Sequence, residues 1–379
     1  MTEKLYYKDA YIKEFFANIV DITPCDRGFD IVLDKTAFFP EEGGQSSDTG
    51  FISECEVVYV YEKDGIVHHI TKSEPPKSEV LCKINFCERF EKMQCHTAEH
   101  ILCGIINKLF GLENVGFHLG ADEVLFDVNG VLDRAALDKV EALANEAVFS
   151  NLDIKSYFPS LEELSGLEYR AKLDITENVR IVKIGDVDTC ACCAPHVSKT
   201  GEVGLIKILD FMKHRGGTRI WIVAGRRALS DYRTKYENIL KISALLSTPQ
   251  HETAETLERY IKDAEGIKSS LKNSRLLLAE EKARSMPDTE GNSVCELNDF
   301  SFDELRAFAN AYKSRVGKIL VAVSGIDGEY RYVLASERVN LSERIKEINA
   351  SLDGRGGGKP GMVQGTFRAA LSEIKKYFE

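Results

Sequence analysis

Between Arg89 and Phe110 the apolar residues Phe90, Ala98, Ile101, Leu102, Ile105, Ile106 and Leu109 recur at three- and four-residue steps, and Gly111 follows. That period predicts a helix that stops at the glycine. At about 100° per residue most of these side chains centre on one face. His96 and His100, one turn apart, then project from the opposite one. The pattern before this helix is different. From Leu5 to about Phe86, short runs such as FDIVLD and EVVYVY alternate or cluster β-formers, and YEKDGIVHHI carries a Lys-Asp-Gly hairpin turn. Residues 1–88 are therefore expected to form a small β-barrel. Within them TAFFPEEGGQSSDTG, residues 36–50, is turn-rich, and its Gly43-Gly44 pair permits positive φ or close backbone approach.

Residues 89–225 mix periods. The helix is followed by the strand-like VGFHLG around His118, a helix near Asp133 to Ala147, and the strand patterns VRIVKI, GLIKIL and TRIWIV. An α+β domain is expected. Residues 226–285 read as a charged helical arm in which Leu257, Ile261, Ala264 and Leu271 fall at roughly heptad steps, a short dimer seam. The break SMPDTEGNS introduces residues 286–379, a final α/β unit containing the glycine-rich DGRGGGKPGMVQG. The whole is expected to be multi-domain α+β.

At 379 residues and 44% hydrophobic content the chain can bury real cores. No apolar run approaches the roughly 20 residues of a membrane span. MTEKLYYKDA lacks the basic-then-apolar start of a signal peptide, so a cytoplasmic protein without a membrane partner is expected. Ten scattered cysteines then point to metal ligation or burial rather than a disulfide framework. The net charge of −11 argues against non-specific binding to nucleic acid. Its distribution changes that picture. Lys213, Arg215, Arg219, Arg226, Arg227, Arg233 and Lys235 face only Asp231 in the same stretch, a local excess that suits a polyanion.

Two imidazoles at i and i+4, as in HTAEH, form a metal half-site. The protease form requires a glutamate after the first histidine, where this chain has Thr97, so that chemistry is excluded. The second half-site lies in TCACCAPHV, where Cys190, Cys192, Cys193 and His196 crowd together. Thiolate and imidazole ligands suit zinc, and a C-x₃-H step on a turn supplies two of them. As small buried hydrophobes the cysteines would need no metal, but the coincidence with the histidine pair would go unexplained.

HTAEH followed by CCAPHVSKTGEVGLIKI resembles the editing domain shared by alanyl- and threonyl-tRNA synthetases, which is marked by HxxxH and CxxxH around a zinc ion. TAFFPEEGGQSSDTG resembles the barrel that precedes this domain in the alanyl branch, and GRGGGKPGMVQG the glycine-rich close of its C-terminal DHH-associated domain. With no aminoacylation domain before the barrel, the chain resembles a free-standing editing protein of the long AlaX type. Such proteins are trans-acting, ATP-independent deacylases of mischarged tRNA(Ala), chiefly the seryl and sometimes the glycyl form.

The resemblance implies one zinc per chain on His96, His100, Cys192 and His196, with Cys190 and Cys193 as alternatives for the thiolate. It implies Thr97, Glu99 and His118 as the groups beside the reacting ester and reading the serine hydroxyl, and Gly43, Gly44 and Gln45 as the barrel's contribution to the cleft mouth. A tRNA partner would give Arg215, Arg219, Arg226 and Arg227, and then Arg355 and Lys359, phosphates to face. A homodimer through the arm and C-terminal domain is expected. Two readings compete: a threonyl-type editing protein, against which the GGGKPG tail argues, and a non-enzymatic tRNA-binding module with a structural zinc.

Overall fold

Six antiparallel strands, taken in spatial order as Glu14–Cys25, Gly28–Leu33, Ile66–Thr71, Cys55–Lys63, Gly50–Ile52 and Glu79–Ile84, close into a barrel. The computed structural model describes residues 1–121, 123–171 and 178–379. Alternate residues, among them Ile31, Leu33, Val57, Val60 and Val67, fill the barrel interior. The expected hairpin turns at Asp64 and Gly65, whose φ of 53° and 75° suit the two-residue turn that matches strand twist.

Helix α1, Phe86–Phe110, leaves the barrel and ends at Gly111, whose φ of 66° gives the left-handed cap. It is buried on every side from Lys92 to Ile106, so the expected polar face carrying His96 and His100 does not meet solvent. The reason is coverage by several layers. A four-stranded antiparallel sheet, ordered Ile206–His214, Gly217–Ala224, Val124–Val128 and Asn114–Leu119, packs on it together with α2, Arg134–Phe149. The last strand of a three-stranded sheet, Ile154–Tyr157, Ile181–Ile184 and Asp188–Ala191, covers the histidine side. Ile101, Leu102, Phe126, Val140, Ile220 and Ile222 share the resulting core. Asp133 caps α2 by accepting from Ala136 N–H at 2.8 Å, and Ser160 with Glu163 closes a capping box on α3, Leu161–Ser165.

The chain divides into two compact units, Met1–Ile239 and Leu240–Glu379, where the sequence suggests four parts. Barrel and α+β domain merge because α1 carries buried cations that clamp the turn-rich 36–50 segment. Arg89 Nε donates to both Asp48 carboxylate oxygens at 2.9 Å, and its other nitrogens reach Ala37 O at 2.6 Å and Ala10 O at 3.2 Å. Asp48 also accepts Phe39 N–H at 2.6 Å, while Lys92 Nζ donates to Ser47 O at 2.6 Å.

The expected helical arm is two helices, α4 (Gly225–Leu246) and α5 (Thr253–Arg284). Ser247, with φ of 49°, and Pro249 break it, since proline disfavours helical backbone before it. Leu257, Ile261, Ala264 and Leu271 of the expected seam are exposed on α5, and only its end, through Ala279 and Ala283, enters a core with Leu305 and Phe308.

In the second unit the strands Ser293–Glu296, Leu320–Ile326, Glu329–Ala335, Met362–Phe367 and Gly354–Lys359 form one sheet in that order, flanked by α6 (Phe302–Tyr312), α7 (Leu341–Ser351) and α8 (Leu371–Phe378). The glycine-rich segment is its edge strand. A side chain at Gly356 would sit 2.5 Å from Tyr332 Oη. Arg355 and Lys359 share one exposed face of that edge. No described helix is long and apolar enough to cross a membrane.

Removing Arg89 leaves the Asp48 carboxylate buried without its cationic partner. Arg89→Ala should therefore cost about 3 to 5 kcal/mol of stability in urea unfolding followed by circular dichroism, against a near-neutral surface control.

Candidate functional site

His96 and His100 follow each other on α1 with ring centroids 5.3 Å apart, and His196 lies 4.9 Å and 4.7 Å from them. The strand Asp188–Ala191 delivers the chain to the turn that carries Cys192 and His196. The Cys192 Sγ sits 3.6 Å from His96 Nε2 and 3.4 Å from His196 Nε2. One donor atom from each of His96, His100, Cys192 and His196 lies within 4.8 Å of all the others, a group that could hold a metal ion. Cys193 stands outside this group, and Cys190 falls instead in a second one with His100 and Asp188. Of the three neighbouring cysteines, Cys192 is the one in the four-donor group.

Each imidazole is held from behind through its other nitrogen. His96 Nδ1 bonds Gln45 Oε1 at 2.8 Å, His100 Nδ1 bonds Asp188 Oδ2 at 3.1 Å, and His196 Nδ1 bonds Thr97 Oγ1 at 2.9 Å. Such partners fix the ring orientation and the tautomer that leaves Nε2 free for a ligand. Asp188 is itself fixed by Arg170, which donates from Nε and Nη2 at 2.8 Å each. Burial alone would raise the Cys192 thiol, but the His96 and His196 imidazoles beside it more than offset this and hold its pKa well below the ordinary value.

Three of these donor residues border a cavity of about 430 Å³ whose lining includes His96, His100, Cys192, Glu99 and the Gly43-Gly44 backbone. Glu99 is buried, and its Oε1 accepts from Asn114 Nδ2 and Cys103 Sγ. Gly43 and Gly44 have φ of 63° and 84°. A Cβ on Gly44 would lie 2.3 Å from Phe117 O, so only glycine lets this loop dock on the Asn114–Leu119 strand. Neither glycine N–H bonds a backbone carbonyl among the described residues.

Three sequence assignments change. Thr97 is fully buried behind His196 and is not among the cavity-lining residues; its hydroxyl bonds His196 Nδ1 instead. Gln45 likewise supports His96 and is not at the mouth. His118 points out to solvent, because side chains alternate along a strand and its neighbour Phe117 takes the cavity position, 4.7 Å from His96. The basic stretch is also not one free patch. Arg219 is bound to Asp127 through two bonds of 2.8 Å and Arg227 donates to Gly120 O at 3.0 Å, whereas Arg215 and Arg226 are exposed, the latter donating to Cys87 Sγ. Asp188, Arg170, Arg180 and Phe117 went unnoticed in the sequence. For Asp188 a signal existed, since it stands two residues before Cys190 in a strand and so on the same face.

Two family models match parts of the chain: the threonyl and alanyl tRNA synthetase second additional domain at residues 179–220, around the Cys192–His196 turn, and the DHHA1 domain at residues 292–379. Over its whole length it is similar to an alanyl-tRNA editing protein of the long AlaX type. The AlaX-L editing protein of Pyrococcus horikoshii is 29% identical over 395 residues, covering 99% of this chain and 96% of that one. The alanine–tRNA ligases of Halorubrum lacusprofundi and Pyrococcus abyssi are each 30% identical over 96% and 100% of this chain, which spans only 42% and 43% of their length.

His100→Ala and Cys192→Ala should each lose bound metal, since three donors remain. Asp188→Ala keeps all four but frees the His100 ring, so its metal affinity should fall about 10- to 100-fold. Metal analysis after dialysis against a graded chelator measures both effects.

Proposed function

We propose that the protein is a trans-editing hydrolase that cleaves the aminoacyl ester of mischarged Ser-tRNA(Ala), and Gly-tRNA(Ala) as a secondary substrate, using one zinc ion per chain on His96, His100, Cys192 and His196. The observation that carries this reading is the four-donor group, of which His96, His100 and Cys192 line a cavity that also holds a buried carboxylate. Tetrahedral zinc bonds of about 2.0 to 2.3 Å set imidazole nitrogen and thiolate sulfur about 3.5 Å apart, in line with the 3.4 Å and 3.6 Å found between Cys192 and its two imidazoles. Similarity to AlaX-L and to the alanyl ligases supports the tRNA substrate. Zinc held by all four residues would have no open position, so it would supply positive charge near the ester and hold the surrounding side chains in place.

The chain's own residues supply the rest of an ester hydrolysis. Glu99, facing the cavity with one oxygen pinned by Asn114, orients the attacking water and accepts its proton. The Gly43 and Gly44 N–H groups, which bond no backbone carbonyl among the described residues, serve as donors to the developing oxyanion. Editing must spare alanine, and a buried polar group that hydrogen-bonds the serine hydroxyl does so because a methyl leaves it unpaired. With Thr97 and His118 displaced from the cavity, Glu99 is the polar side chain for that role as well.

Away from the site, exposed Arg215 and Arg226, and Arg355 with Lys359 on the edge strand, provide phosphate contacts. The exposed apolar positions Leu257, Ile261 and Leu271 on α5 provide a seam for a homodimer.

Purified protein should hydrolyse Ser-tRNA(Ala) at least about a hundredfold faster than Ala-tRNA(Ala), with Glu99→Gln losing rate on both while retaining metal. A preference for Ser-tRNA(Thr) would favour threonyl-type editing, and binding without hydrolysis would leave a tRNA-binding module. Arg355→Ala with Lys359→Ala should weaken tRNA binding and flatten its salt dependence by about two phosphate contacts in a filter-binding series.

A further inference from the structure

Along the strand Asn114–Leu119, Leu119 and Phe117 pack toward the core, so strict alternation would turn Val115 inward and Asn114 out to water. The structure does the reverse. Asn114 is 8% exposed and Val115 63%. The pairing shows how: Gly116 opposes Asp127 and Asn114 opposes the next residue, Val128, which leaves Val115 as the extra residue of a β-bulge. Burying an amide while exposing a valine runs against the transfer free energies of both, so burial does not account for the arrangement. Bulges recur beside active sites, where they re-aim a side chain.

The re-aimed side chain meets the cavity carboxylate. Asn114 Oδ1 accepts Gly116 N–H at 2.9 Å, which fixes the oxygen end of the amide, and Nδ2 therefore donates to Glu99 Oε1. Nδ2 also lies 3.5 Å from Cys103 Sγ, and the Cys103 thiol, one helical turn beyond Glu99, donates to the same Oε1 at 3.2 Å. All three residues are buried. Glu99 Oε2 lies 3.9 Å from His100 Nε2, the nitrogen on the side of the four-donor group. The last torsion of a glutamate has broad minima, so it does not select this orientation by itself.

We propose that Asn114, with Cys103 as second donor, is a positioning residue of the deacylation: it holds Glu99 Oε1 so that Oε2 is presented to the attacking water beside the four-donor group. The inference rests on the deacylase reading and on Glu99 as its base. The bulge supplies an amide donor where regular alternation would supply valine.

The test is a double-mutant cycle on the full-length protein, with kcat and KM measured on Ser-tRNA(Ala). Asn114→Ala should lower kcat about 10- to 100-fold with KM changed less than about twofold. In the Glu99→Gln background, where the group being positioned is already gone, the same substitution should lower kcat less than about threefold. Asn114→Asp keeps the acceptor for Gly116 N–H, and with it the turn, but not the donor; it should lose kcat as alanine does. Bound metal equal to the parent's in either variant certifies the site. Equal losses in the two backgrounds, unchanged kcat in Asn114→Ala or Asn114→Asp, or loss of metal from both would overturn the role. A parent inactive on Ser-tRNA(Ala) removes the deacylase reading and this role with it, and a Glu99→Gln protein as active as the parent removes the base and the role. An active parent with an additive cycle removes the role alone.

Discussion

Three imidazoles can point one nitrogen each at a single thiolate inside a dry core only if their other nitrogens are satisfied. That requirement organises the first unit. Gln45 from the loop, Asp188 from the strand and Thr97 from the helix itself each take one Nδ1, so the site exists only when three separate chain segments are in register. The same bonds keep Nε2 of every ring turned inward, and they explain why residues with no access to substrate are indispensable to the site.

The segments hold register because α1 is clamped at its start. Arg89 and Lys92 are buried charges that a helix would avoid in a simple core, but here their donors meet Asp48, Ala37 O and Ser47 O of the loop that contains Gln45, together with Ala10 O near the N-terminus. The clamp places Gly43 and Gly44 against the Asn114–Leu119 strand and thereby sets one wall of the cavity. Barrel and α+β domain are one mechanical unit for this reason, although their sequence patterns differ.

Much of this was legible before the fold was known. HxxxH and CxxxH carry their own spacing chemistry, and the structure brings those four residues together. The positions misread were those where one residue of parity or one turn of helix decides the direction. His118 and Phe117 are adjacent on a strand, so a role placed one residue off lands on the wrong face. Thr97 sits between two ligands on a helix, where a wheel cannot tell a substrate contact from a contact with a distant histidine. Arg219 looked like part of a basic patch because Asp127, its partner, is 92 positions away in sequence. The arm was read as continuous because its charge pattern runs through Ser247 and Pro249, whose backbone demands interrupt it.

The central claim is that one thiolate and three imidazoles make a single metal centre in the wall of the substrate cavity. X-ray absorption at the zinc edge of the purified protein tests it directly. The arrangement predicts three imidazole nitrogens at about 2.0 to 2.1 Å and one sulfur at about 2.3 Å. Two or more sulfurs, which would bring in Cys190 or Cys193, or a shell without sulfur, would contradict it.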